Sequence, residues 1–107
     1  MTTSALNPRV IDRSTEKQRQ VDQETANLAL YYYETCADCI RVLRTIERLQ
    51  LKIEKRNIRN VPAFREQLVQ GGGSSTVPCL MIRGEKGELS WMYEADKIIA
   101  YLEERFT

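Results

Sequence analysis

The sequence predicts an α/β fold: a three-layer α/β/α arrangement around a four-stranded mixed sheet. Three observations lead there. Short apolar runs of strand length alternate with amphipathic stretches of helix length, in the order β-α-β-α-β-β-α. The early strands are separated by helices, as parallel crossovers require, whereas the last two are joined by the tight turn Gly84-Glu85-Lys86-Gly87. The length, 107 residues, suits one domain with one small core.

Residues 1–27 read as a polar tail or a marginal helix, and residues 28–107 as the folded domain. Asn7-Pro8 marks a turn. Ser14 to Ala26 is charged and glutamine-rich, with Val21 as its one sizeable apolar residue, so it either docks as a marginal helix or stays disordered. Leu28 to Tyr33 is apolar on both faces and reads as a central strand. Ala37 to Gln50 has helical spacing of Ile40, Leu43, Ile46 and Leu49, with Arg41, Arg44, Glu47 and Arg48 facing out. Leu51 to Asn57 alternates and reads as the second strand. Val61 to Gln70 forms a short helix with Pro62 in its first turn and Val61, Phe64 and Leu68 on one face. Gly71-Gly72-Gly73-Ser74-Ser75 ends that helix as a loop. Val77 to Arg83 and Glu88 to Met92 make a hairpin. Glu94 to Phe106 is the last helix, with Ala95, Ile98, Ile99, Leu102 and Phe106 as its stripe.

The chemistry centres on Cys36-Ala37-Asp38-Cys39. The strand before it and the helix after it put Cys36 at a helix N-terminus, where free backbone N–H groups and the positive end of the helix dipole favour a thiolate. The spacing lets Cys39 reach back and close a disulfide. A net charge of +1 gives no basic excess for nucleic acid. No apolar run is long enough to span a bilayer, and Met1 to Ala26 lacks the apolar stretch of a signal peptide. Three cysteines cannot all pair internally, so a reducing, cytoplasmic setting is expected. The absence of histidine removes the usual general base and the commonest metal ligand.

With these elements in place the chain resembles a glutaredoxin, of the thioredoxin-fold superfamily. The resemblance rests on Cys36-Ala37-Asp38-Cys39 after a strand, Thr76-Val77-Pro78 before the third strand, the hairpin, and Tyr93-Glu94-Ala95-Asp96-Lys97-Ile98-Ile99 opening the last helix. The last segment is also similar to the N-terminal domain of glutathione transferases. The resemblance implies thiol–disulfide exchange on protein disulfides or glutathione mixed disulfides, with Cys36 and Cys39 catalytic. It implies a cis Val77–Pro78 bond facing Cys36, with Thr76, Val77 and Pro78 holding the cysteinyl part of glutathione like an added strand. Ala95 and Asp96 would bind the γ-glutamyl end, their N–H groups its carboxylate and the Asp96 carboxylate its ammonium. Glutathione would be a co-substrate with no permanently bound cofactor or metal. Disulfide-containing or glutathionylated proteins would be the partners of a monomer that serves cell redox homeostasis.

The chain departs from the family pattern at Ala37-Asp38, where Pro-Tyr or Pro-Phe is usual, at Tyr33, where a lysine often stands, and at Ser74-Ser75 before Thr76. Asp38 opposes thiolate formation at Cys36. Arg41 and Arg65 are candidate substitutes for the absent basic contacts. Two other readings remain beside the first: a thioredoxin-like dithiol reductase independent of glutathione, and a non-enzymatic redox-sensing or partner-binding domain. A cluster bridging two chains through Cys36 and glutathione is a minor reading. Cys79 reads as a small buried strand residue or as a further redox thiol, and Trp91 as packing on the last helix.

Overall fold

Four strands, β1 (Leu28–Tyr32), β2 (Glu54–Asn57), β3 (Cys79–Arg83) and β4 (Leu89–Tyr93), pair in the order β2-β1-β3-β4 in a computed structural model that describes residues 10–107. The expected Asn7-Pro8 turn lies outside the described residues. β1 runs parallel to β2, with Ala29 opposite Glu54, and antiparallel to β3, with Leu30 opposite Leu80. β4 is antiparallel to β3, with Met81 opposite Trp91. The helices are α1 (Thr15–Thr25), α2 (Ala37–Arg48), α3 (Pro62–Gly72) and α4 (Ala95–Phe106). This is the thioredoxin-like α/β fold. Among the described residues no helix is long and apolar enough to cross a membrane.

Strand alternation divides the core between two layers. Leu28, Leu30 and Leu80 face Val42, Ile46 and Leu49 of the α2 segment and Ile98, Leu102 and Phe106 of α4. Ala29, Tyr31, Cys79 and Met81 point the other way, onto Leu68 of α3.

Several boundaries differ from the sequence expectation, each for a local reason. The inner stripe of α2 is Cys39, Val42, Ile46 and Leu49, while Ile40 is 37% exposed. The Cys39 thiol takes the inward position one turn before Val42, which leaves Ile40 outside. β2 begins at Glu54 rather than Leu51. Gln50 adopts a left-handed φ of 51°, and the Leu51 amide donates to Ile46 O at 3.0 Å, so Leu51 closes the end of α2 instead of joining a ladder. β3 begins at Cys79 because the Val77–Pro78 bond is cis and proline has no N–H to pair.

The glycines after Gln70 continue α3 rather than end it. A Cβ on Gly71 would lie 2.1 Å from Cζ2 of Trp91, and one on Gly72 would lie 2.1 Å from the Tyr93 hydroxyl. Glycine therefore lets the last turn of α3 lie directly on β4, and the helix stops only at Gly73, at a φ of 91°. Trp91 consequently packs against α3 and Tyr31, with ring centroids 5.5 Å apart, and not against α4.

Helix α1 starts at Ser14, whose Oγ accepts the Lys17 amide at 3.2 Å. Its Val21 is only 2% exposed and joins the α2–α4 layer. One apolar anchor suffices because polar contacts surround it. The Arg13 guanidinium donates to Leu49 O at 2.6 Å and to Phe106 O, so it caps the C-terminal ends of both α2 and α4. Glu24 pairs with Arg105 at 3.0 Å and Asp22 with Lys52 at 3.4 Å.

Candidate active site

The turn after β1 presents Cys36 as the N-cap of α2, with extended backbone angles and a half-buried side chain. Its Sγ accepts the backbone N–H of Cys39 at 3.1 Å, and its own amide donates to Tyr33 O at 3.4 Å. A sulfur in this place occupies the position of a capping oxygen, where a helix N-terminus supplies a fixed donor. Across from it, Val77 O lies 3.9 Å from Sγ. Val77 belongs to no strand ladder, and Pro78, after the cis bond, is buried.

Cys39 has no exposed surface. Burial pushes its thiol up to about 12, and the Cys36 sulfur beside it adds to the shift. Cys79 is equally enclosed, on the opposite face of the sheet among Tyr31, Leu68 and Met81, and burial pushes it to about 12 as well. It is thus a buried strand residue that packs beside Tyr93.

The N-terminus of α4 lies close by. Glu94 stands at its N-cap with a φ of 74° and no side chain caps the helix. Ala95 is buried, whereas Asp96 is exposed. Asp96 is not idle: the Arg41 guanidinium bonds its carboxylate at 2.5 Å and Asp38 at 3.4 Å, linking the first turns of α2 and α4. Asp96 and Asp38 together hold the Arg41 pKa above its ordinary value, the hydrogen bond to Asp96 being the larger cause. The Thr76 side chain turns to Ser74, with 2.7 Å between the hydroxyl oxygens. Tyr93 in turn donates to Ser74 O at 3.0 Å, which anchors the approach to Val77.

The structure therefore brings Cys36, Cys39 and Val77 into contact and links Asp96 to the same helix start through Arg41. Arg65 is exposed on α3. Arg59 was not evident from the sequence. Its guanidinium stacks 3.7 Å from the centroid of the Tyr33 ring and donates to Thr35 Oγ1 at 3.0 Å. The turn-forming Asn57 just before it is the only local signal, because Thr35 lies 24 positions away.

The sequence model of the glutaredoxin family matches residues 28–86, more than half of the chain. The chain belongs to the glutaredoxin family. No match is found among curated proteins. Among solved structures, this glutaredoxin is similar to wheat glutaredoxin at 17% identity and a TM-score of 0.56, with 84% of each chain covered. It is similar to a point mutant of a thioredoxin-like protein at 20% identity and a TM-score of 0.56, covering 70% of this chain and 97% of that one. Both likenesses concern the fold. The maleylacetoacetate isomerase of Anaeromyxobacter dehalogenans 2CP-1, with bound GSH in the active site, is 26% identical at a TM-score of 0.57. That match covers 75% of this chain but only 38% of the isomerase.

Proposed function

We propose that the protein is a thiol–disulfide oxidoreductase that reduces glutathione mixed disulfides or protein disulfides, with Cys36 as nucleophile. The observation that carries this reading is the contrast between the two thiols of the motif. Cys36 Sγ is reachable and accepts a backbone N–H, while Cys39 is enclosed and held protonated. Family membership and the GSH-bound isomerase support glutathione as co-substrate.

In the first step the Cys36 thiolate attacks the glutathione sulfur of a mixed disulfide. A Cys36–glutathione bond forms as the substrate S–S bond breaks, and the departing thiolate takes a proton from water. A second glutathione thiolate then attacks the glutathione sulfur, releasing oxidised glutathione and returning Cys36 as thiolate. Alternatively Cys39 gives up its proton, attacks Cys36 Sγ and expels glutathione, leaving a Cys36–Cys39 disulfide for two glutathione molecules to reduce. The high pKa of Cys39 favours the first route near neutral pH. Thr76, Val77 and Pro78 would form the platform for the cysteinyl backbone. The uncapped turn at Ala95 and Asp96 would receive the γ-glutamyl end.

One observation favours the glutathione-independent reductase: Arg41 already occupies Asp96 and competes with a ligand ammonium there. The two readings separate in a paired assay, reduction of a small glutathione mixed disulfide against electron delivery from thioredoxin reductase. Turnover with glutathione, abolished in Cys36→Ser and retained in Cys39→Ser, is the expected result. Turnover only with the reductase would overturn it.

A further inference from the structure

The two edges of the sheet differ in how they are guarded. β2 reads Glu54-Lys55-Arg56-Asn57, charged at three of its four positions. β4 reads Leu89-Ser90-Trp91-Met92-Tyr93, with no charge, no proline and an unbroken register against β3. Charged side chains, prolines and bulges are what keep an edge from pairing with another chain. Leu89 is 48% exposed, the most open of the large apolar side chains among the described residues.

The hairpin sets which backbone groups of β4 are free. The Gly84 amide donates to Glu88 O at 2.7 Å, so the hydrogen-bonded pairs of the ladder continue at Ile82–Ser90 and Leu80–Met92. Ser90 and Met92 therefore turn their N–H and C=O groups to β3, while Leu89 and Trp91 turn theirs to the open side. The side chains of Leu89 and Trp91 lie on the α3 face. There they line a groove of about 430 Å³ with Tyr31 and Met81 of the sheet and Gln70 and Gly71 of α3. A strand added antiparallel to β4 would bond Leu89 and Trp91 through the residues directly opposite them. Those residues put their own side chains on the same face, at the groove. Backbone pairing and a side-chain pocket thus coincide, as recognition by strand addition requires.

The surrounding charges say which strand fits. Glu88 precedes β4 and Glu94 follows it. Glu88 accepts the Lys86 amide at 3.0 Å and Glu94 faces Lys97 at 3.6 Å, and both residues are exposed. Two copies of β4 paired antiparallel about Trp91 would set Glu88 of each beside Glu94 of the other, and like charges so placed are destabilising. A foreign segment with cationic ends meets both carboxylates favourably. Arg56 and Arg83 also line the groove, so the side chains that enter it are uncharged. We propose that the β4 edge is a docking site for an extended segment of a partner protein, apolar at alternate positions and with a lysine or arginine at each end.

The test uses the full chain and a synthetic strand, acetyl-Lys-Thr-Val-Thr-Phe-Thr-Lys-amide. Trp91 is the only tryptophan, so its fluorescence reports binding at this edge, and amide shifts locate it. Saturable binding below millimolar peptide is expected, with the largest shifts at Leu89 and Trp91. N-methylation of the valine and phenylalanine amides removes two strand donors and should weaken binding at least about tenfold. Glutamate in place of both lysines should weaken it about 3- to 10-fold, a gap that added salt narrows. Leu89→Lys should weaken it at least about tenfold, by guarding the edge, while Cys36 keeps its rate with iodoacetamide. Equal binding of the N-methylated or the glutamate-ended strand overturns the proposal, as does the absence of shifts at Leu89 and Trp91 at millimolar peptide. Protection of those two amides from hydrogen exchange that grows with concentration of the protein alone would assign the edge to a second copy and overturn it as well.

Discussion

The two thiols of the motif should differ in alkylation rate by orders of magnitude, and the structure sets the scale. At its ordinary value of 9.0 the Cys39 thiol would be about a tenth ionised at pH 8, whereas pushed to about 12 it is ionised roughly once in ten thousand molecules. Burial is the largest cause of the Cys39 shift and persists when Cys36 is replaced, while the contributions from the Cys36 sulfur disappear. Cys39 is also closed to reagent, with no exposed surface. Ionisation and access multiply, so native Cys39 in Cys36→Ser should react with iodoacetamide at pH 8 at least about 100-fold more slowly than Cys36 in Cys39→Ser. Quenched time points read by intact mass and peptide mapping give both rates. Labelling in urea confirms that every thiol was free. Modification of Cys39 in the native Cys36→Ser protein within tenfold of the Cys36 rate would refute the reasoning. It would mean that the inward position of Cys39 on α2 is not held in solution.

Stability should fall at alkaline pH. Cys39 and Cys79 have folded pKa values near 12, above their unfolded values near 9, so the native state keeps protons that the unfolded chain releases between them. Their contribution is therefore complete below pH 9 and declines as pH rises toward 12, by at most about 1.4 kcal/mol per pH unit for each thiol. Urea midpoints from pH 7 to 10.5 should show the decline, and Cys79→Ala should halve its slope; a flat profile above pH 9 would contradict it. Arg13→Ala should cost about 1–2 kcal/mol in urea unfolding, since it uncaps α2 and α4 together; an unchanged midpoint would show the guanidinium free of both carbonyls. Gly72→Ala should cost about 1–3 kcal/mol by forcing the Tyr93 hydroxyl aside. It should also raise KM for a mixed disulfide more than it lowers kcat, because Tyr93 anchors Ser74 on the approach to Val77; equal effects on both would argue against that link.

The order of elements, the mixed sheet, the layers and the placing of Cys36 at a helix start can all be read from the chain alone. These follow from short-range regularities: the run Leu28–Tyr32, apolar on both faces, the helical stripe Ala95, Ile98, Leu102 and Phe106, and the turn at Gly84 to Gly87. Thr76-Val77-Pro78 was legible only through the family resemblance, which implied the cis bond that the structure has. Contacts between residues far apart in the chain emerge only once the elements are packed. Arg41 reaches Asp96 across 55 positions and Arg13 reaches Phe106 across 93. Local periodicity carries no information about such pairs, because they depend on how α1, α2 and α4 dock on one another. The same holds for Gly71 and Gly72, which looked like a loop and instead admit Trp91 and Tyr93 against a helix, and for the rotation of α2 that buries Cys39 in place of Ile40. Arg59 is the sharpest case. Apart from the turn-forming Asn57, its neighbours in sequence do not distinguish it from other surface arginines until the sheet brings the end of β2 beside the end of β1, and with it Tyr33 and Thr35.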